Sequence, residues 1–177
     1  ARNDCWWSYW LLERGLSMSF INTGGIPPGT LTEVTTEAKW DLGKVVWSED
    51  GKGYRYVQFA DAVAVAVGHV MTYDAAQANH YVVTNDRSDD EVSTICAGIA
   101  IAAVATNTTS PQYGFVQVSG YCDTVLGDGS VAAGEFVVPD TADGTADTMA
   151  DGEEEQVFGM CLTDDGPNFD AILRGIL

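Results

Sequence analysis

The chain has few positive charges. Its 177 residues include only 8 Lys and Arg against 26 Asp and Glu, and the formal net charge is −18. A surface of this sign repels phosphate backbones and anionic membranes, so we expect neither nucleic acid nor a membrane as a partner. The acidity is compatible with a solvated surface, cation binding, a basic partner or adaptation to salt, since the acids are spread through many turns.

Long uncharged apolar runs are also missing. No stretch of 18 such residues exists that could span a bilayer. The opening "WWSYWLL" is short, rich in Trp and not followed by a small-residue cleavage pattern, which does not fit a secretory signal. The four cysteines form no CxxC arrangement, and three of them lie in apolar stretches, so we expect buried, reduced thiols in a soluble protein from a reducing compartment.

Motifs that carry catalysis or hold cofactors are absent as well. The only two histidines, His69 and His80, have no HxxxH spacing, and no GxSxG, GxGxxG or GxxxxGK[ST] motif occurs. The acidic turns do not follow the ligand order of a calcium loop. We therefore predict that the chain is not an enzyme and has no cofactor, metal site or catalytic residue.

Regular turn signals dominate from residue 41 onward. Gly-, Asp- and Asn-rich turns separate apolar runs of 5 to 9 residues, which predicts an all-β body over 41–177, a compact sandwich or barrel. Two runs, "DAVAVAV" and "AGIAIAAVA", could be helical, but their alternating β-branched residues favour strands. The other candidate strands are "GKVVWS", "YRYVQFA", "GHVMTYD", "HYVVTN", "STICAGIAIAAV", which contains most of the second run, "GFVQVSGYC", "EFVVPD", "EQVFGMCLT" and "FDAILRGIL".

An internal duplication of about 60 residues is indicated by three matches in the same order. "AVAVGHVMTYD" (64–74) resembles "SVAAGEFVVPD" (130–140), "YVQF" precedes the first as "FVQV" precedes the second, and "AGIAI" follows as "FGMCL" follows. The predicted repeats are 56–104 and 115–163. Gly68 and Gly134 are the expected structural turns, where a side chain would be excluded by backbone conformation or close approach. Chance similarity of Val-rich strands is the alternative.

Residues 1–40 form a predicted extended N-terminal arm, because they lack a sustained period and contain "NTGGIPPGT". The arm holds too much apolar surface to remain in water, so we expect it to bind a partner. "MSFINTGG" at Met18 also fits a natural start, in which case residues 1–17 would be upstream sequence; the alternative is an arm whose own initiator Met was removed. The candidate partner-binding residues are Trp6, Trp7, Tyr9, Trp10, Leu11, Phe20 and Ile21.

The body resembles capsid decoration (cement) proteins of tailed bacteriophages. The resemblance covers residues from about 52 to 177, and its most specific pieces are "YGFVQVSGY" (113–121) and "DGSVAAGEFVVP" (128–139). It implies a non-enzymatic, β-rich virion protein made in the host cytoplasm. Such a protein is expected to be a homotrimer that binds the major capsid protein on the outer surface of the capsid and clamps neighbouring subunits. The arm has no counterpart in this resemblance and would run between subunits.

Two other functions remain open from the sequence. A tail, baseplate or fibre-type β-module would have the same composition and would be distinguished by its position on the particle. A carbohydrate-binding domain is the third candidate, since exposed Trp can stack on sugars. Here, however, the Trp residues crowd into the arm.

Overall fold

The chain folds as an all-β protein, which confirms the predicted fold class. The computed structural model describes residues 28–60, 64–75, 77, 79–87, 92–106, 110–163 and 166–175. Within them it has one short 3-10 helix, Pro28–Thr30, and no α-helix. The strands are β1 (Val45–Trp47), β2 (Gly53–Phe59), β3 (Val70–Asp74), β4 (Val82–Thr84), β5 (Val92–Ala100), β6 (Gln112–Leu126), β7 (Phe136–Pro139), β8 (Ala146–Thr148), β9 (Gly159–Cys161) and β10 (Asn168–Arg174).

Five strands close into a ring, here called the first barrel. The strands β2, β4, β3, β5 and the first half of β6 (112–118) pair in that order, and β6 then pairs back onto β2. The closing register runs from Phe59 opposite Gln112 to Tyr54 opposite Gln117. Closure leaves only β1 as an added edge strand on β2, so the expected sandwich or barrel is a barrel.

The rest of the sheet repeats this arrangement and is here called the second unit. It comprises the second half of β6 (119–126) with β10, β9, β7 and β8, paired in that order. A parallel bridge between Gly127 and Ala146 returns β8 to the end of β6. This bridge corresponds to the parallel pairing of β2 with β4 in the first barrel.

The turns of the two units make equivalent hydrogen bonds. The N–H of Gly68 donates to the carbonyl of Ala100, and that of Gly134 donates to the carbonyl of Cys161, each at 2.9 Å. Val70 pairs with Ile99 as Phe136 pairs with Met160. Both turn glycines have positive φ, 89° and 90°, in the left-handed region where an L side chain is strained.

The leading strands of the two units are not the two segments that the sequence comparison matched. "YVQF" lies in β2 and "FVQV" lies in the first half of β6, where the two segments pair with each other across the barrel closure. By strand pairing, Gln58 of the first barrel corresponds to Leu126 of the second unit. Gln58 lies opposite Tyr113 in β6, and Leu126 lies opposite Asn168 in β10. The strand β6 therefore closes the first barrel and continues as the leading strand of the second unit.

The two units have separate cores made of alternate, inward-facing residues. Alternation is clearest in β10, where every second side chain is buried. The first barrel encloses Val57, Phe59, Val65, Met71, Val83, Ala97, Ala100, Val104, Val116 and Val118. The second core contains Val70, Cys96, Ile99, Cys122, Val125, Val131, Val137, Ala146, Phe158, Cys161, Phe169, Ala171 and Leu173.

Residues 28–42, here called the cover segment, lie against the outside of the first barrel. Leu31 is buried there and Trp40 is half-buried, over the outward side chains of Tyr56 and Phe115. Thr35 exchanges two backbone hydrogen bonds with Tyr113 at the start of β6. The described part of the predicted arm is thus packed on the body; residues 1–27 lie outside the described residues.

The first barrel docks onto the second unit through its Gly68 turn. The N–H of Leu126 donates to the carbonyl of Gly68, and the N–H of Val70 donates to the carbonyl of Gly144, each at 2.9 Å. The turn therefore lies between the end of β6 and the start of β8. A Cβ at Gly68 would be 2.9 Å from Cγ2 of Thr124, so the close approach needs glycine.

Two local predictions differ from the structure. The strand β8 lies inside "DTADGTADTMADGEEE", which is polar enough to be predicted as a loop throughout. Its pairing with β7 overrides that weak local preference. In "DAVAVAV", the described residues from 64 onward contain a single bridge, between Val65 and Val104, and no strand.

Candidate functional site

The predicted partner-binding residues of the arm cannot be placed. Trp6, Trp7, Tyr9, Trp10, Leu11, Phe20 and Ile21 all lie outside the described residues. Their role stays a prediction. The described residues nevertheless contain another apolar surface, which the sequence analysis did not single out.

This surface, here called the open face, is a row of four side chains on the outside of the second unit. Tyr121 pairs with Ile172, Ile172 with Met160, and Met160 with Phe136, so the row crosses four adjacent strands. Their exposed fractions are 41%, 42%, 36% and 52% for Tyr121, Ile172, Met160 and Phe136. Leu162, two residues beyond Met160, is also exposed. Contiguous exposed apolar side chains of this kind are typical of interaction surfaces.

The residues of the open face point outward because the residues beside them on each strand fill the second core. In β10, Phe169, Ala171 and Leu173 point inward, so period 2 places Ile172 outside. In β9, Gly159 and Cys161 are buried and Met160 is exposed. In the sequence, the only sign of this surface is a large apolar residue at a position that alternation assigns to the solvent side of a strand. That position could be recognised only once the buried side of each strand was known.

Polar groups fix one end of the row. The hydroxyl of Tyr121 donates to Oδ2 of Asp170 at 2.6 Å, and this hydrogen bond raises the pKa of the tyrosine. The ammonium of Lys52 lies 5.6 Å from the centre of the same ring. Tyr121 is therefore held in place although it is partly exposed, an arrangement in which an aromatic side chain loses little entropy on binding.

The counterpart of the open face in the first barrel is covered. Its members are Tyr54, Gln117, Ile99 and Val70, which occupy the positions of Tyr121, Ile172, Met160 and Phe136 in the strand pairings. Gln117, Ile99 and Val70 are only 3%, 0% and 2% exposed. The buried amide of Gln117 donates to the carbonyls of Ser119 and Tyr121, so it is satisfied. The molecule contains one covered and one open copy of the same face.

The three described cysteines lie in the second core, behind the sheet that carries the open face. Burial raises the pKa of Cys96 to about 12, and it also raises the pKa of Cys122. Cys96, Cys122 and Cys161 are buried and not in disulfides. Burial lowers the pKa of His69, whose Nδ1 lies 2.8 Å from the amide nitrogen of Asn85. In the part of the chain that the structure describes, no three His, Cys, Asp or Glu residues are grouped so as to hold a metal ion.

No helix among the described residues has the length and apolar character needed to cross a membrane.

Comparison with solved structures gives a weak match to a phage protein. No protein-family model matches the chain, and no curated protein does. The crystal structure of the head fiber gp8.5 N base in bacteriophage phi29 is 17% identical, and the match covers 70% of this chain and 98% of that chain. The TM-score is 0.45. At this level the match establishes neither a shared fold nor a shared function, so the function has to be argued from the residues of this chain.

Proposed function

We propose that the chain is a non-enzymatic structural protein of a bacteriophage virion, which attaches to the outside of the head and stabilises contacts between major capsid proteins. The observation that carries an adhesive role is the open face: four exposed apolar residues paired across adjacent strands on a body that is otherwise strongly acidic. The phage head is suggested by the resemblance of residues 52–177 to decoration proteins. The residues of that resemblance form the strands and turns of both units.

Attachment would stabilise the head by mass action. A protein that binds the mature shell more tightly than the immature one shifts the equilibrium toward the mature shell by that difference in affinity. The predicted homotrimer would add avidity, because each bound copy raises the local concentration of the others at their sites. The negative surface supports an exterior position, since it neither binds DNA nor favours aggregation.

The arm is the first part of the chain to test. We expect simultaneous Trp6→Ser, Trp7→Ser and Trp10→Ser substitutions in the full chain to weaken binding to heads stripped of this protein at least about tenfold, because aromatic anchors supply much of an interface's free energy. Occupancy is measured by quantitative gel analysis of purified heads over a range of protein concentrations. Trp47→Ser is the matched control, since Trp47 is exposed on the edge strand β1 of the body.

The circular dichroism spectra and unfolding midpoints of both variants should match those of the parent chain. Undiminished occupancy by the triple variant would contradict the role of the arm, whereas equal loss by Trp47→Ser would assign attachment to the body.

A fibre-type module is the second candidate, and one observation favours it. The second unit ends in the open face, and a further domain packed against that face would extend the body into an elongated assembly. Gold labelling of virions distinguishes the two functions. A decoration protein labels the head surface at many evenly spaced positions close to the shell, whereas a tail or baseplate protein labels one end of the particle and a fibre-type module labels structures that project from it.

A further inference from the structure

The open face needs a partner because the same face is covered elsewhere in this molecule. In the first barrel, the second unit buries Val70 and Ile99 completely. In the second unit, the corresponding Phe136 and Met160 are covered by no residue that the structure describes, and they remain among its most exposed apolar side chains. A tandem of like units leaves its last face uncapped unless something else packs against it.

The first barrel of another copy is not suited to cover it. The second unit accepts the Gly68 turn in the gap between Leu126 and Gly144. In the first barrel, the corresponding residues are Gln58 and Tyr81, and the N–H of Gln58 donates directly to the carbonyl of Tyr81 at 3.0 Å. The gap is therefore closed, and the internal docking mode cannot be repeated between copies.

Charge also opposes direct contact between two bodies. Residues 1–27 contain two Arg and two acidic residues, so the whole net charge of −18 belongs to residues 28–177. Two such bodies repel each other. The neutral, Trp-rich segment of residues 6–21 is the part of another copy that can approach the open face without this repulsion.

The first barrel shows how this chain covers an outward face with an aromatic segment. Trp40 of the cover segment packs on Tyr56 and Phe115, with ring centres 5.1 and 5.4 Å apart. The open face crosses three strand spacings, about 14 Å, a length that roughly five extended residues can span. The segment Trp6–Trp10 contains three Trp and one Tyr within this length.

We propose that the open face of each copy is covered by residues 6–21 of a second copy, so that exchanged arms hold the oligomer together. The inference rests on the proposed function, in which the arm binds a neighbouring protein, and it identifies that neighbour as a second copy of this chain. Tyr121, Ile172, Met160 and Phe136 form the receiving side. The Trp and Tyr residues at positions 6–10 form the inserted side.

Photocrosslinking in the full chain tests this assignment. A benzophenone amino acid replaces Met160 in one sample and, as the control, Val67 in another; Val67 is more exposed than Met160, 52% against 36%, but lies on a turn of the first barrel. Unlabelled and ¹⁵N-labelled chains are mixed, equilibrated and irradiated, and the cross-linked peptides are identified by mass spectrometry. We expect adducts from position 160 to residues 6–21 that join a light and a heavy peptide, and none of these from position 67.

Adducts that join only peptides of the same isotope would place the arm on its own body and overturn the proposal. Adducts confined to residues 28–177, or no adducts at all, would also overturn it. As a second measurement, Met160→Asp with Ile172→Asp should raise the dissociation constant of the oligomer at least about 100-fold in sedimentation, whereas Val67→Asp should not. Binding of the Trp variants to heads is measured separately, so a failure of arm exchange can be told apart from a failure of head attachment.

Discussion

Gly68 and Gly134 show at the scale of single residues how equivalent turns differ in what they allow. Both have a left-handed backbone. A Cβ at Gly134 would meet no atom within 4 Å, whereas a Cβ at Gly68 would meet Thr124. Glycine is required at the first turn by conformation and contact, and at the second by conformation alone.

We expect Gly134→Ala to lower the free energy of unfolding by about 1 kcal/mol, the cost of the left-handed conformation for alanine. Gly68→Ala should cost roughly 1–2 kcal/mol more, because the added methyl group crowds Cγ2 and the carbonyl of Thr124. Urea titrations of the two variants measure the difference. Adding Thr124→Ser to Gly68→Ala should recover part of it, and equal losses at the two glycines would contradict the close approach between the units.

At the scale of elements, the cover segment stabilises the first barrel from outside. The outward aromatic residues of β2 and β6, Tyr56 and Phe115, are buried in a cluster to which the cover segment contributes Leu31, Trp40 and Leu42. The backbone N–H of Lys39 donates to the hydroxyl of Tyr56 at 3.0 Å, which gives the hydroxyl oxygen of this buried residue a hydrogen-bond partner. The corresponding positions of the second unit, by strand pairing, are Asp123 and Asp170, which need no cover.

We expect Trp40→Ala to lower the free energy of unfolding by about 2–3 kcal/mol, since a half-buried Trp and its two aromatic contacts are lost. The matched substitution Trp47→Ala should cost less than about 1 kcal/mol because Trp47 is exposed. Guanidinium titrations followed by circular dichroism measure both. A loss at Trp40 no larger than that at Trp47 would show that the cover segment does not stabilise the barrel.

At the scale of the whole molecule, the dominant feature is the charge of −18 on residues 28–177. The described residues contain ion pairs of Lys39 with Glu33 and of Lys52 with Asp50, both at the surface, where such pairs contribute little. Most carboxylates therefore repel one another across the body. Salt screens this repulsion, because the Debye length falls from about 30 Å at 10 mM to about 8 Å at physiological ionic strength.

We expect the melting temperature to rise by about 5 °C between 10 and 500 mM NaCl, which corresponds to 1–2 kcal/mol for a chain of this size. Glu37→Lys with Glu49→Lys, at two exposed positions, reduces the net charge to −14 and should reduce the rise. Differential scanning calorimetry measures both proteins. A melting temperature independent of salt would mean that the acidic surface does not destabilise the body.

Much of the fold could be predicted from the sequence because its signals are local. Turn residues and alternating apolar runs located nine of the ten strands, and the exception, β8, has only three residues in an Asp-rich segment. The shared Val-Ala-x-Gly pattern located the turns at Gly68 and Gly134, and both glycines have positive φ. The candidate site could not be located in the same way, because the open face joins residues from β6, β7, β9 and β10.

By itself, the sequence determined all the described strands except β8, the turn glycines at 68 and 134, and the sign of the surface charge, since each depends on neighbouring residues or on composition. Only the tertiary structure decided that β6 belongs to both units and that, of the two equivalent faces, one is covered and the other is exposed. Val70 and Phe136 occupy the same place in their turns, yet the first is buried by the second unit and the second is exposed. The physical reason is that burial depends on what packs across a strand, and periodicity along one strand does not contain that information.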